Sequence, residues 1–431
     1  IPTFSYLNLF YTWIGLFMYK VISKKKSLGN NSFLNKVVSS LFFPNIKNEN
    51  LKGCVSFYDG SFLDTRMIIS LLQTASSKGA NIKNYCEVNG FLYDENQKII
   101  GVKYFDKFEN KDYEIFSKCV INASGSNIDN MRFLDDKNSD EILALSSGVH
   151  IVVKKEFLGS NEALLISNTS DGRIIFILPY LNHCLIGTTD NSCVYEENIK
   201  TKDSEIEYLL NEVNIYFQKP LKKEDILSSW SGIRPLIKNT DKSSTQEIVR
   251  DHLITSSKNG LVSIAGGKWT TYRKMAEDLM DFLVDEKILD KKEICITKNY
   301  KLIGNQEKHK DLEKLISFYP ITKNTKESLI TLYGTNATKV LTLANKLDNF
   351  QLINENLPYL KVEIIYCIEN EFVKKPVDFL SRRIGLCFID KKASLSCVDV
   401  VCDEMGKLYN WNKDELEFQK KESKEYIENY F

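Results

Sequence analysis

Five side chains of the types that carry chemistry stand in or beside apolar runs: His150 in SGVHIVV, Asp190 in LIGTTDN, Arg234 in WSGIRPL, Arg250 in EIVRDHL and Lys268 in SIAGGKWTTY. An imidazole titrates near neutral pH and can take a proton from a substrate it faces. Arginine is scarce, eight residues against 49 lysines, and its planar fork grips an anion in a way lysine does not. Arg234 and Arg250 with Lys268 would make a receptor for a phosphate dianion. Asp190 would anchor Arg234 or Lys268, or begin a turn. Gly266 and Gly267 let backbone N–H groups approach a ligand closely. The helix expected after them offers its positive end to an anion. The run CVINASG, Cys119 to Gly125, makes a similar offer at a second strand end, where small residues admit a pyrophosphate. Taken singly, each has a plainer reading: a core or surface histidine, a surface ion pair, a turn. Taken together, two apolar strands that each end in glycine could flank one nucleotide.

The elements that must position these residues are mixed. CVSFY reads as a strand. Apolar residues at Met67, Ile68, Leu71, Leu72 and Ala75 predict a helix over 64–77 with Gly79 as its stop. ANIKNYCEVNGFLYD, KIIGVKYFD and KDYEIFSK alternate as strands of a meander. SKCVINASG reads as a buried strand. VHIVVKK, ALLIS, RIIFILPY and CLIGTTD are further strands, with His150 at a strand start. KDSEIEYLLNEVNIYFQK is an amphipathic helix with Ser204 as its cap. ILSSWSGIRPL, QEIVRDHLI and GLVSIAGG return to strand, and a helix is expected from about Trp269 to Glu286. Residues 23–52 read as loop and short helix, and the pattern beyond about 308 is helical throughout.

Composition removes several classes. At 431 residues the chain can bury a large core, enough for about two to three domains. Zero formal charge leaves no net pull toward nucleic acid. Ten cysteines without a CxxC, and four scattered histidines, predict buried reduced thiols and no metal site. Residues 1–22 are apolar and aromatic, without a basic leader or a small-residue cleavage site, so they do not read as a signal peptide. Their length approaches what a bilayer span requires, but Thr3, Ser5, Asn8 and Thr12 interrupt them. The expectation is a helix lying at an interface or against the body of the protein. A start at Ile1 suggests a piece of a longer chain.

The ordered set FYDGSFLDTRM, KCVINASG, SSGVHIVV, DGRIIFILPY, IGTTD, SSWSGIRPL and LVSIAGGKWTTYRKMAED, followed by VDFLSRRIGLCFID and VVCDEMGKLYNW, resembles the FAD-dependent glycerol-3-phosphate dehydrogenases of the mitochondrial, respiratory type. Any one motif is weakly specific; their order is what identifies the resemblance. It implies an α+β/α/β FAD-binding oxidoreductase fold, with an antiparallel-sheet substrate domain and a C-terminal all-helical domain. The family's opening Rossmann βαβ unit is not in this sequence, which holds no GxGxxG and no two glycines spaced as GxG. Either the sequence is a fragment of a full enzyme or the product has lost its flavin unit. Smaller departures are NASGSNIDN, where the family usually has Thr-Gly-Pro, and GTTDN. The implied division is a remnant with membrane contact over 1–50, FAD-binding parts over 51–135 and 256–300, a substrate-binding β domain over 136–255 and a helical domain over 301–431.

The resemblance implies oxidation of sn-glycerol 3-phosphate to dihydroxyacetone phosphate, with hydride passing from C2 to flavin N5 and electrons on to a quinone. A quinone acceptor implies peripheral membrane association, in a mitochondrion or a reduced relative of one; a homodimer is also expected. Carried onto this sequence, His150 is the base or polar orienter, and Arg234 sits near the developing ketone oxygen or the phosphate. Arg250 and Lys268 hold phosphate, Asp190 positions the cations, and Gly125, Gly266, Gly267, Thr270 and Thr271 line the flavin. Two other classes stay open: a glycerol-3-phosphate oxidase that uses oxygen, and a non-catalytic descendant.

Overall fold

The computed structural model describes residues 1–23, 27–238, 252–290, 293–305 and 309–431. Strand β1 (Pro2–Thr3) leads into helix α1 (Tyr6–Ser23), none of whose residues is buried. No helix among the described residues is long and apolar enough to cross a membrane. Strand β2 (Ser32–Asn35) and helix α2 (Lys36–Phe42) follow. The Asn35 side chain caps α2 by accepting from the Val38 N–H at 3.0 Å. Strand β3 (Gly53–Ser56) takes β1 and β2 on its two edges in an antiparallel sheet. Sequence pattern misses β2, because four mostly exposed residues show no alternation.

Helix α3 (Asp64–Ser77) spans the predicted residues, but its buried face runs through Arg66, Ile69 and Thr74, while Ile68 is 44% exposed. The reason is an ion pair. Arg66 donates from both terminal nitrogens to the Glu371 carboxylate, each at 2.7 Å. Its guanidinium lies 4.6 Å over the Tyr333 ring, and Arg383 Nε donates to the Glu371 carbonyl at 3.0 Å. A two-pronged buried pair of this kind fixes α3 against the segment that holds Glu371, just beyond the helix that ends at Asn370.

Strands β4 (Cys86–Tyr93), β5 (Ile99–Asp106) and β6 (Lys111–Phe116) form the expected meander. Strand β7 (Val120–Asn122) is only three residues long, and Ile121 is 41% exposed. The buried run expected there is thus an edge strand among the described residues. Helix α4 (Ile128–Asp135) follows.

Strand β8 (Leu143–Lys154) is the spine of a six-stranded sheet. His150 lies well inside it rather than at its start. Small residues Ser146, Ser147 and Gly148 hide the strand's first half from a hydrophobic pattern. Strands β9 (Leu164–Ile166), β10 (Ile175–Tyr180), β11 (His183–Gly187) and β12 (Asn191–Ser192) lie on one side of β8; β13 (Ser228–Ile237), which comes after helix α5 (Asp203–Asn214), lies on the other. Successive side chains alternate between faces. Val149, Ile151 and Val153 therefore pack against Ile206, Leu209 and Val213 of α5. Helix α5 starts one residue before the expected cap Ser204, with Asp203 and Glu205 in its first turn, where carboxylates favour the helix dipole.

Strands β14 (His252–Ser256) and β15 (Leu261–Gly266) pair antiparallel, and β7 runs parallel to β15. A 3₁₀ turn over Trp269–Thr271 precedes helix α6 (Tyr272–Asp285), so the helix begins three residues later than expected. The remainder is helical: α7 (His309–Ser317), α8 (Lys323–Tyr333), α9 (Ala337–Lys346), α10 (Lys361–Asn370), a π-helical turn over Asp378–Arg383, α11 (Leu386–Ile389), α12 (Lys391–Tyr409) and α13 (Lys413–Tyr430). These helices bury Phe379, Val398 and Val401 in one core, which also takes Val152 and Leu185 from the second face of the β8 sheet.

Candidate active site

Two register pairings build the site. On β8 and β13, His150 stands opposite Trp230, Gly148 opposite Gly232 and Ser146 opposite Arg234. Alternation puts all six on one face. His150 stacks on Trp230 with centroids 4.4 Å apart and planes 21° apart. Its partner on β11 is Gly187, where a methyl group would stand 2.8 Å from ring Cγ and Nε2. The imidazole thus occupies a slot between glycine backbone and indole.

His150 Nδ1 and Trp230 Nε1 are both buried without a hydrogen-bond partner in the structure. Burial, and secondly the positive charge of Arg234, lower the His150 pKa to about 4. The ring is therefore uncharged at neutral pH, with Nδ1 sealed.

Arg234 is held from several directions. Its Nη1 lies 3.3 Å from Asp190 Oδ1, its Nη2 donates to Thr188 Oγ1 at 3.0 Å, and both donate to the Thr189 carbonyl at 3.2 Å. The Ser146 hydroxyl also donates to Asp190. Of the two cations expected for Asp190, Arg234 is the one it meets. A methyl on Gly148 would stand 2.7 Å from Arg234 Nη1, so the guanidinium lies flat on that backbone, and nothing stands within 4 Å of where a Gly232 side chain would begin. The result is open space at Gly232 flanked by a neutral imidazole and a fixed guanidinium that covers Gly148.

The glycine-ended strands form the second part. Ser263 of β15 pairs with Asn122 of β7, and the two strands run parallel, so Gly125 and Gly266 leave the sheet at the same edge. Asn122 braces this edge, donating to Ser263 Oγ at 3.3 Å and to the Ile128 carbonyl at 3.0 Å. Gly125, Gly266 and Gly267 have φ of +62°, +71° and +76°, a region that costs glycine little. Space is open where a Gly125 side chain would begin, whereas a Gly267 methyl would meet Met275 Sδ at 2.6 Å. Lys268, Thr270 and Thr271 are exposed, and Thr271 Oγ1 donates to the Lys268 carbonyl at 2.9 Å. Ala265 packs with Leu143 and Ile128, with Ile237 beside them. Arg234 precedes Ile237 by three residues, about 10 Å along the strand, so the two parts abut. Arg250 lies outside the described residues.

Trp230, Gly148, Gly187 and Thr188 were not singled out from sequence. The spacing W-x-G-x-R in SSWSGIRPL carried the signal for the first, since period two puts Trp230, Gly232 and Arg234 on one face.

Two family models match the chain. One, described as FAD dependent oxidoreductase, covers residues 9–273; the other, the C-terminal domain of alpha-glycerophosphate oxidase, covers 295–416. The fold and these matches therefore define a flavin-dependent oxidoreductase with a helical C-terminal layer. A mitochondrial glycerol-3-phosphate dehydrogenase of Arabidopsis thaliana is 30% identical over the whole chain, which covers 71% of that protein. A probable glycerol-3-phosphate dehydrogenase of Encephalitozoon cuniculi is 33% identical over 96% of the chain and 68% of its own length. Among solved structures, the glycerol-3-phosphate dehydrogenase of Bacillus halodurans complexed with FAD superposes with a TM-score of 0.77 at 29% identity, covering 92% of this chain and 79% of that one. The chain belongs to the FAD-dependent glycerol-3-phosphate dehydrogenase family.

The residues present fit a flavin cofactor. Gly125 and Gly266 offer backbone at positive φ, and the space beside Gly125 is open, as a close-lying planar ligand requires. For the pyrophosphate half, the sequence supplies no GxGxxG turn.

Proposed function

We propose that the enzyme oxidises sn-glycerol 3-phosphate at C2 to dihydroxyacetone phosphate. The observation that carries this reading is the sheet face on which Arg234, locked by Asp190, Thr188 and Thr189, stands beside the uncharged His150 with open space at Gly232. FAD, when bound, supplies the two-electron acceptor for the hydride that leaves C2.

His150 takes the 2-hydroxyl proton at a ring nitrogen. Its low pKa keeps that nitrogen free before substrate arrives. A phosphate dianion entering the site offsets the charge of Arg234, the lesser of the two causes of the low pKa, and so moves the imidazole toward greater basicity while burial continues to oppose it. Arg234 directs its fixed fork at the C2 oxygen or the phosphate, and needs no reorganisation to do so. Lys268 and Arg250 supply further positive charge for the phosphate, and Asp190 keeps Arg234 in register. Gly125, Gly266, Gly267, Thr270 and Thr271 hold the flavin side of the site.

The final acceptor in this reading is a quinone, the acceptor that the sequence resemblance implies; the relatives' names say dehydrogenase and name no acceptor. Helix α1 supports a location at a membrane surface, because it turns Tyr11, Trp13, Phe17 and Tyr19 outward, the side chains that favour a bilayer interface. The test uses the full-length protein with glycerol 3-phosphate and either a quinone analogue or oxygen. Dihydroxyacetone phosphate should form with the quinone. Its absence with both acceptors refutes the reaction, and turnover on oxygen alone refutes the acceptor.

A further inference from the structure

We propose that the C-terminal helical layer positions the His150 imidazole through an aromatic clamp, Phe388 pressing on Trp230 and Trp230 on His150. The inference rests on the reading of His150 as the group that faces substrate.

Phe388 of α11 meets the Trp230 indole edge-on, centroids 5.2 Å apart and planes at 87°. Phe431 meets Phe388 edge-on in turn, at 5.0 Å and 89°, and the Arg382 guanidinium lies 5.1 Å over the Phe388 ring. Edge-to-face contacts of this kind have a preferred geometry, so they orient a ring as well as bury it. The two supports are also tied together by backbone. Ser228 Oγ of β13 donates to the Cys387 carbonyl at 2.7 Å, and the Lys391 N–H donates to the Leu227 carbonyl at 3.0 Å. Helix α11 therefore cannot slide along β13. Trp230 is held by contacts with both His150 and Phe388, and His150 has no room to tilt toward β11 because Gly187 leaves space for no more than hydrogen.

The clamp also seals His150 Nδ1 and Trp230 Nε1 from water. The charged groups facing this corner are Arg234 and Asp190 on the sheet side and Arg382 beyond Phe388. None of them is removed by loosening the clamp. Its loss admits water around an imidazole that burial now holds uncharged, and the imidazole then titrates closer to its ordinary value. The clamp thus sets both the plane of the ring and the pH at which it is ready to accept a proton.

The test reads His150 directly. The full-length enzyme is labelled at histidine ¹³Cε1, with His150→Asn assigning the His150 signal, and Phe388→Leu, Trp230→Leu and Trp230→Phe are titrated by NMR. The two leucine variants should raise the His150 midpoint by about one pH unit or more and move the acid limb of kcat in the same direction. Trp230→Phe, which keeps a stacking ring, should stay near wild type. Should Phe388→Leu fail to fold, Phe388→Met is read in its place. Midpoints in both leucine variants equal to wild type overturn the clamp. Normal turnover in His150→Asn overturns the role of His150 instead, and leaves the NMR result to judge the clamp separately.

Discussion

Gly187→Ala is the sharpest perturbation that the sheet allows. The added methyl would stand 2.8 Å from Cγ and Nε2 of His150 and nearer still to Cδ2. Non-bonded carbons settle about 3.5–4.0 Å apart, so the ring must retreat by roughly 1 Å. Retreat is opposed by Trp230, already stacked at 4.4 Å and itself in T-shaped contact with Phe388. A 1 Å displacement of a reacting group costs on the order of 10²-fold in rate, and overpacking of a buried site costs about 1–3 kcal/mol of stability. The backbone of Gly187 does not have positive φ, so alanine adds bulk without adding strain of its own. The assay is glycerol-3-phosphate-dependent reduction of an acceptor dye, with bound flavin quantified by absorbance in the same samples. The expected result is a kcat/KM about 10²-fold lower with flavin content unchanged. Wild-type turnover would show that the position of the imidazole is immaterial, and would refute the role given to His150.

Further expectations follow from other parts of the molecule. Arg234→Lys keeps the charge but loses the fork that meets Asp190, Thr188 and Thr189 at once; steady-state kinetics should show a loss of about 10²-fold or more, and near-normal turnover removes Arg234 from the mechanism. Lys268→Ala should raise KM, lower kcat, or both, and unchanged kinetics removes Lys268 from the site. Burial raises the Glu363 pKa to about 7, against a hydrogen bond from the Leu360 N–H that lowers it. Because the native state holds this proton above the unfolded pKa, wild-type stability falls as pH rises from 4.5 through about 7. Glu363→Gln should therefore gain on wild type by up to about 3 kcal/mol between pH 5 and pH 8 in denaturant melts, and a pH-independent gap contradicts this. Glu371→Ala strands Arg66 in the core and should cost about 3–5 kcal/mol, while the double change with Arg66→Met should recover much of it in the same melts.

The long periodic segments were legible. The span of α3, the β4–β6 meander, the amphipathic α5 and the helical C-terminal layer follow from apolar spacing, because burial on one side is what that spacing records. The orientation of α3 was not legible, since its buried face runs through an arginine whose carboxylate partner lies 305 residues away in sequence. The first half of β8 was obscured for a related reason. Ser146 and Gly148 are small because Asp190 and Arg234 pack against them, and a strand shaped around charged neighbours does not look apolar. At the candidate site, sequence order singled out His150, Asp190 and Arg234, and the fold places these three on or beside one sheet face. It did not single out Trp230 or Gly187, whose importance lies in what they touch. Lys268, expected to point at an anion, is exposed beside a 3₁₀ turn.

The most direct test of the central claim is anaerobic stopped-flow reduction of the bound flavin by sn-glycerol 3-phosphate, comparing wild-type full-length protein with Arg234→Lys at equal flavin content. The account predicts rapid bleaching in the wild type and bleaching slowed by about 10²-fold in the variant. Flavin that stays oxidised in the wild type, or equal rates in the two proteins, would contradict it.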